Sequence, residues 1–508
     1  MRRKWLIALG IVAAASAGAY AWVDYEPWHP VTTIAPSGKL VLRGVTVVDT
    51  RDGQLSPNMD VLTDKGKIVA IAAAGTLGQT AGAQIVDARG KFLVPGFNDY
   101  HAHPLGPFDV SGTMALMLAN GITGFRQMQG SPRMLAERAQ GRTPTGRYAP
   151  EALTMPGTIL TPFNAGSPDE ARKEVDAQKR QGADFIKVGL AAPDVFLAAE
   201  DEAKKVGLPF VGHLQPGVDA AVAAKRGMRA MEHLGPGDTE LISCSTDEAA
   251  LRKAVAKQPV MKAPPVKLPL MEKLFAGYIQ KRIVNPAADG DEAGGARYTR
   301  ILATFDEGKC RALAAVFVAT DTWQVPTLIR LRTIELSGAP EYANDPNYKY
   351  MPPETVALWR ETAARFAKNH DAASRASFAK VYDLQLKLTK LYADAGVKML
   401  AGSDESGQWE VPGFSLHQEF DELAKAGLSP LKILQMTTID GADFLGRPML
   451  GRVAPGAGAD LVLLDANPLD GVQNFHRIAG VVRAGYYYSR ADLDGILRKV
   501  ETGKGYFH

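Results

Sequence analysis

Cysteine is almost missing from this chain: only Cys244 and Cys310 occur in 508 residues. They are too few and too far apart for a CxxC redox pair or a zinc ribbon, so any metal must be held by histidine and carboxylate. They read as two buried or free thiols, with a single disulfide as the alternative if the protein is exported. An excess of one charge is also lacking. The 58 basic and 55 acidic residues leave a formal charge of +3, without the polybasic field that nucleic acid requires, and this points to a small-molecule substrate. Collagen, coiled-coil and polytopic membrane patterns are absent, as are a nucleotide loop, a Ser-His-Asp elbow and a haem signature. What is present is ordinary globular composition, 46% hydrophobic and 22% charged with 50 Gly and 32 Pro. The length suits about three domains, or one large α/β barrel plus a smaller unit.

The N-terminus addresses the compartment. Arg2, Arg3 and Lys4 precede an uncharged run from Trp5 to Val23, the layout of a basic n-region and an apolar h-region. Residues 1–23 therefore read as a signal peptide or an N-terminal membrane anchor. Ala17, Ala19 and Ala21 offer cleavage sites, and residues 5–23 are just long enough to span a bilayer uncut. The paired arginines resemble a twin-arginine signal whose other features are missing. Everything after Asp24 is expected in the periplasm or outside the cell, with a possible tether to the inner membrane.

Two textures follow. Residues 37–94 and 453–490 run in short β-rich pieces separated by turn residues, and the two ends are expected to pair as one small β-sandwich. Residues 95–452 alternate apolar runs with amphipathic helical stretches, the pattern of βα units. Eight candidate strands lie there, KFLVPGFNDYHAH, GITGFRQM, ALTMPGTIL, DFIKVGL, PFVGHL, RAMEHL, WQVPTLI and VKMLAGSDE, the number a (β/α)8 TIM barrel needs. The expected fold class is thus α/β, a TIM barrel with a composite β-sandwich. Two connections, 235–321 and 330–395, are longer than a barrel requires and follow strand C-termini, where a cap over the site would sit. The first contains NPAADGDEAGGARY from Asn285, expected to be mobile. The second carries Tyr342, Tyr348, Tyr350 and Trp359, read as packing of a helical excursion, with substrate contact as the alternative.

Of nine histidines, four fall at predicted strand ends. His101 and His103 are two apart, so an extended chain presents both on one side, where a single ion can meet them. His213 and His233 each close a strand opening toward the same barrel mouth. His417 lies just after the eighth strand, within reach of the surroundings of the site, while His29, His370, His476 and His508 read as surface or terminal residues. Asp404 ends the eighth strand, where a carboxylate can bind a cation, exchange a proton with water or simply cap a helix. Lys187 places a cation inside an apolar strand, so it must be paired, deprotonated or modified.

In this order VPGFNDYHAH, FIKVGL, VGHL, MEHL and AGSD, with the late GRVAPGAGADLVLLDANPL, resemble the metal-dependent amidohydrolase superfamily, particularly its imidazolonepropionase- and prolidase-like branch. The resemblance covers the chain from about Lys39 to Arg490. It implies a binuclear site in which Lys187, carboxylated to N6-carboxylysine, and a hydroxide bridge two divalent ions. His101, His103 and Asp404 would hold one ion, and His213 and His233 the other. Zinc suits these ligands best, with manganese, cobalt or iron also accepted. Asp404 would take the hydroxide proton and pass it to the leaving nitrogen. The implied activity is hydrolysis of an amide bond in a small substrate, an Xaa-Pro dipeptide or an N-acyl amino acid, by a homo-oligomeric enzyme. The alternatives are a mononuclear deaminase or cyclic-amide hydrolase, and a membrane-tethered, non-catalytic binding protein. Gln127 stands where relatives more often carry an acidic residue, and Arg126 either contacts substrate or braces the barrel.

Overall fold

A computed structural model describes residues 35, 37–78, 80–106, 110–142, 146–236, 238–256, 283–290, 292–405 and 407–503. The expected signal or anchor segment, His29 and His508 lie outside the described residues. Among the described residues no helix is long and apolar enough to cross a membrane.

The chain opens with β1 (Leu40–Val48), β2 (Leu55–Asp64), β3 (Lys67–Ala73), β4 (Gln84–Asp87) and β5 (Phe92–Pro95). It continues through β6 (Phe97–Ala102), β7 (Ile122–Gln127), β8 (Glu151–Thr154), β9 (Ile186–Val188), β10 (Phe210–Gly212), β11 (Met228–Glu232) and β12 (Trp323–Val325). It returns to strands in β13 (Leu461–Leu464), β14 (Ile478–Arg483) and β15 (Tyr486–Ser489).

The two ends pair: β13 runs antiparallel to β5, while β5 runs parallel to β1. They form one continuous sheet, in the order β15-β14-β13-β5-β1-β2-β3 with β4 on β1, rather than the two separate sheets of a sandwich. This sheet closes back on itself: Ile68 in β3 donates to the Ala457 carbonyl at 2.9 Å, just ahead of β13. Val45, Val61, Ile68, Leu93, Leu461 and Leu463 fill its core.

Between the ends, parallel strands form a three-stranded sheet, β6-β7-β8, and a four-stranded sheet, β9-β10-β11-β12. Backbone bonds connect the two. Leu160 donates to the Lys187 carbonyl at 2.9 Å, and Gln324 to the Lys398 carbonyl at 3.0 Å. Tyr100 in β6 donates to the Ala401 carbonyl at 3.0 Å, and Asp404 to the His101 carbonyl at 2.7 Å. The eighth candidate strand is not a strand; it makes one bridge, Gln324 to Met399, before Gly402 and the left-handed Asp404 (φ 55°) break the ladder. The first candidate strand is two strands, β5 in the small sheet and β6 in the parallel one, hinged at Gly96. A Cβ on Gly96 would lie 2.0 Å from Thr123 Oγ1, so only glycine permits this change of sheet.

Helices fall where the pattern places them. Ser167 caps Pro168–Gln181 by accepting from Glu170 N, and Gly182 ends it in the left-handed conformation; Gly207 ends Pro193–Val206 likewise. Within the stretch from Asn285, expected to be mobile, Asn285 itself is held in place. Asn285 is buried, bonded to Gln408 Oε1 at 2.9 Å, and Glu292–Thr304 is a helix. Cys244 and Cys310 form a disulfide, which corrects the expectation of free thiols. It joins the residue capping the Thr239–Ser243 helix to the Glu307–Thr320 helix.

Candidate metal centre

Six side chains singled out in the sequence come to one end of the parallel strands. On β6, alternation turns Asp99, His101 and the following His103 to one side. His101 Nε2 lies 3.1 Å and His103 Nε2 3.2 Å from the same oxygen of Asp404. Among the described residues these three form the one group of His, Cys, Asp or Glu whose ligand atoms all fall within 4.8 Å of each other. The His233 ring centroid is 4.5 Å from that of His101 and 5.0 Å from that of His213, and His233 Nε2 is 3.7 Å from the other Asp404 oxygen. Lys187 Nζ lies 3.3 Å from His101 Nε2. His213 and His233 therefore flank the three-ligand group without belonging to it.

Left-handed backbone makes the convergence possible. His233 (φ 59°), Thr327 (φ 46°) and Asp404 (φ 55°) all leave their runs in a conformation that is costly for non-glycine residues and recurs at functional sites. The turn at His233 brings consecutive Glu232 and His233 to one site, where strand alternation would separate them. Gly402 admits the close approach of the 397–405 segment, since a Cβ there would lie 2.7 Å from His101 Cβ.

The surroundings orient the ligands. His101 Nδ1 donates to Glu232 Oε2 at 2.7 Å, which leaves its Nε2 lone pair facing Asp404 and Lys187. The Thr327 hydroxyl donates to the Pro326 carbonyl, so at 2.6 Å it accepts from His233 Nδ1 and frees that Nε2 as well. Asp99 accepts from Ser403 Oγ at 2.6 Å and from His101 N at 3.1 Å, joining the two segments that carry the ligands.

Electrostatics keep these groups in ligating form. Burial lowers the imidazole pKa of His103 and His233, and that of His213 to about 3, disfavouring their protonated forms. Burial opposes the charge on Asp404, but His233 and His101 hold its pKa well below the usual carboxylate range. Burial pulls Lys187 down to about 8, against the nearby Glu232 and Asp404. Imidazoles whose burial disfavours protonation and an ionised carboxylate form a donor set suited to divalent ions, with the Lys187 ammonium beside them.

Three residues of the site escape the sequence reading. Glu232, fully buried, bridges His101 and Arg126, whose Nη2 donates to it at 2.6 Å. Burial opposes its charge, but Arg126 and His101 hold its pKa well below normal. Asp99 is the second. The third, Arg330, places Nε 3.3 Å from Asp404 Oδ2 and donates to the Val284 carbonyl at 2.9 Å. Arg126 proves to be a brace, donating to the Tyr100 carbonyl at 2.6 Å between the rings of Phe185 and Phe444. Gln127 accepts from Leu105 N at 3.4 Å and so fastens the turn after His103. His417 bonds the Asn120 carbonyl at 2.8 Å among Phe97, Phe420 and His476, outside the site. His370, expected at the surface, is buried between Phe366 and Phe378.

Residues 346–501 match the family described as "Amidohydrolase family". A dihydroorotase of Pelotomaculum thermopropionicum is 46% identical over 65 residues, 13% of this chain and only 14% of that relative's length. Among solved structures, a bottromycin amidohydrolase has a TM-score of 0.64 at 24% identity, covering 92% of this chain and 91% of that one. An Xaa-Pro dipeptidase with bound methionine in its active site has a TM-score of 0.57 at 15% identity, covering 89% and 100%. The chain thus carries an amidohydrolase-family segment in its C-terminal third and shares the fold of solved amidohydrolases over about nine-tenths of its length.

Proposed function

We propose that the protein is a metal-dependent hydrolase of a carbon–nitrogen bond, cleaving the amide of a small substrate such as an Xaa-Pro dipeptide or an N-acyl amino acid. The observation that carries this reading is the meeting of His101, His103 and Asp404 ligand atoms within 4.8 Å. These three would hold one ion. His213 and His233 would hold a second, with Lys187, as a carbamate, between the two. A buried lysine beside imidazoles whose protonation is disfavoured suits that modification, which would turn an expensive buried cation into an anion. Divalent ions, zinc in the first instance, supply Lewis acidity that activates water and polarises a carbonyl. Asp404 does the proton work: its Oδ2, beside Arg330 and His233, accepts the proton of the attacking water and returns it to the leaving nitrogen.

The scaffold that carries this chemistry reads as a closed (β/α)8 barrel, the 397–401 segment standing in for an eighth strand between β12 and β6. The disulfide supports export, because such bonds persist in oxidising compartments. The three-ligand group favours one further reading, a mononuclear deaminase or cyclic-amide hydrolase with Lys187 unmodified.

Elemental analysis of the full chain, with a screen of Xaa-Pro and N-acyl amino acid substrates, separates the two. About two ions per chain with amide hydrolysis supports the first. About one ion moves the reading to the mononuclear enzyme, and no ion after reconstitution overturns both.

A further inference from the structure

Beside the metal-ligating group lies a cleft whose walls differ in character from the centre itself. Pro104, Val284, Met351, Leu358, Trp359 and Pro412 give it an apolar surface, and His103 lines it at one end. It is narrow, with about 40 Å³ of free space, and is partly open to solvent. His103 belongs both to the cleft and to the ligand group, so whatever fills the cleft sits next to the reacting bond.

We propose that this cleft is the specificity pocket of the enzyme and takes an uncharged apolar side chain or acyl group of the substrate. The inference rests on the hydrolase reading above and names the class of substrate it acts on. The charged groups at the wall, Glu410 and Arg330, are already engaged. Glu410, fully buried, accepts from Gly407 N at 2.8 Å and from Thr333 Oγ1 at 3.1 Å. Arg330, the cation behind it, donates to the Val284 and Ile283 carbonyls and pairs with Asp404. A charged substrate group would thus lose its hydration without meeting a free counter-ion, whereas an apolar group gains from leaving water. The far wall is firm. Trp359 is buried and packs edge-on against Tyr348 and Trp409 at 5.7 and 5.9 Å, while Gln408 Nε2 donates to its carbonyl at 2.8 Å. Met351 supplies an adaptable side chain at the rim. Trp359 and Leu358 belong to the Pro353–Asn369 helix of the long 330–395 connection.

The test compares kcat/KM of the metal-loaded full chain on two matched series, Xaa-Pro and N-acetyl-Xaa, with Xaa as Gly, Leu, Phe or Asp. In the series whose variable group enters the cleft, Phe and Leu should exceed Gly by at least about tenfold, with Asp below Gly. Thr355→Trp, which fills the cleft from its helical wall, should erase that ratio while Gly turnover persists. Met351→Ala, which widens it, should favour Phe over Leu. A flat profile in both series, or a ratio unchanged in both variants, overturns the inference. If neither series is hydrolysed, the amide reading fails, and calorimetric titration with free phenylalanine, glycine and aspartate still decides the cleft. Tighter phenylalanine binding that Thr355→Trp abolishes keeps the pocket assignment, and equal binding overturns it.

Discussion

His101 donates its Nδ1 proton to Glu232 at 2.7 Å, and the same carboxylate receives Arg126 at 2.6 Å on its other oxygen. One buried anion thus fixes the tautomer of a histidine in the candidate metal site and neutralises a buried guanidinium. Glu232→Gln keeps the shape but removes the charge. Metal affinity should fall about 10- to 100-fold, as for lost ligand-orienting carboxylates. Stability should fall by about 3–5 kcal/mol, because Arg126 is left as an uncompensated cation. Adding Arg126→Met should recover stability but not metal affinity. Metal content and thermal melts of the three proteins measure both effects, and parallel recovery of the two would sink the assignment.

Lys187 separates function from stability in the opposite direction. Its ammonium is buried against His101, and burial already pulls its pKa to about 8. Lys187→Met fills the same space without charge. The metal-free variant should melt above the metal-free parent, since the lowering of the lysine pKa from 10.5 to about 8 makes burial of the ammonium a net cost of folding despite Glu232 and Asp404. Turnover should nevertheless fall by at least about a hundredfold if the lysine bridges the ions. Near-normal kcat with an unchanged melting temperature would rule out both the bridge and the buried-charge argument. Asp404→Ala should likewise lose turnover by orders of magnitude and stay soluble, which activity assays and size-exclusion chromatography together check.

The convergence of the candidate site residues was legible because each ends an apolar run, and because His101 and His103 obey the period of two that a strand imposes. Glu232 was not legible, since its role depends on the left-handed turn at His233, which no local pattern encodes. Arg330 comes from a connection whose path the sequence leaves open, and His370 is buried only because two helices close Phe366 and Phe378 around it. The helices ending at Gly182 and Gly207 were readable from cap and period together. The apolar run through β5 and β6 hid a boundary instead: hydrophobicity marks burial, and both sheets bury their strands at Gly96.

The disulfide should carry a measurable share of stability. Cys244 and Cys310 are 66 residues apart, and the chain-entropy relation for a loop of that length gives about 4 kcal/mol. Thiol titration of the denatured, unreduced protein should find no free cysteine. Reduction, or Cys244→Ser with Cys310→Ser, should lower the melting temperature by several degrees. A melt that does not respond to reduction would show that the unfolded chain gains nothing from being released.

Glu335 gives stability a pH dependence whose sign can be worked out. It is buried, accepts from Tyr298 Oη at 3.1 Å and from Gln385 Nε2 at 3.4 Å, and burial pushes its pKa up to about 8. Asp238 adds to that shift, while the two hydrogen bonds and Arg297 oppose it. In the unfolded chain the same carboxyl ionises near 4.5. Below that pH both states are protonated and folding meets no penalty. As pH rises from about 4.5 to 8 only the unfolded state releases the proton, so stability falls, by an amount on the order of a few kcal/mol. Glu335→Gln retains the acceptor for Tyr298 and cannot ionise. Its melting temperature should therefore match the parent near pH 5, exceed it by several degrees at pH 8, and decline less between the two. Parallel curves across that window would place the titration of Glu335 outside the folding equilibrium.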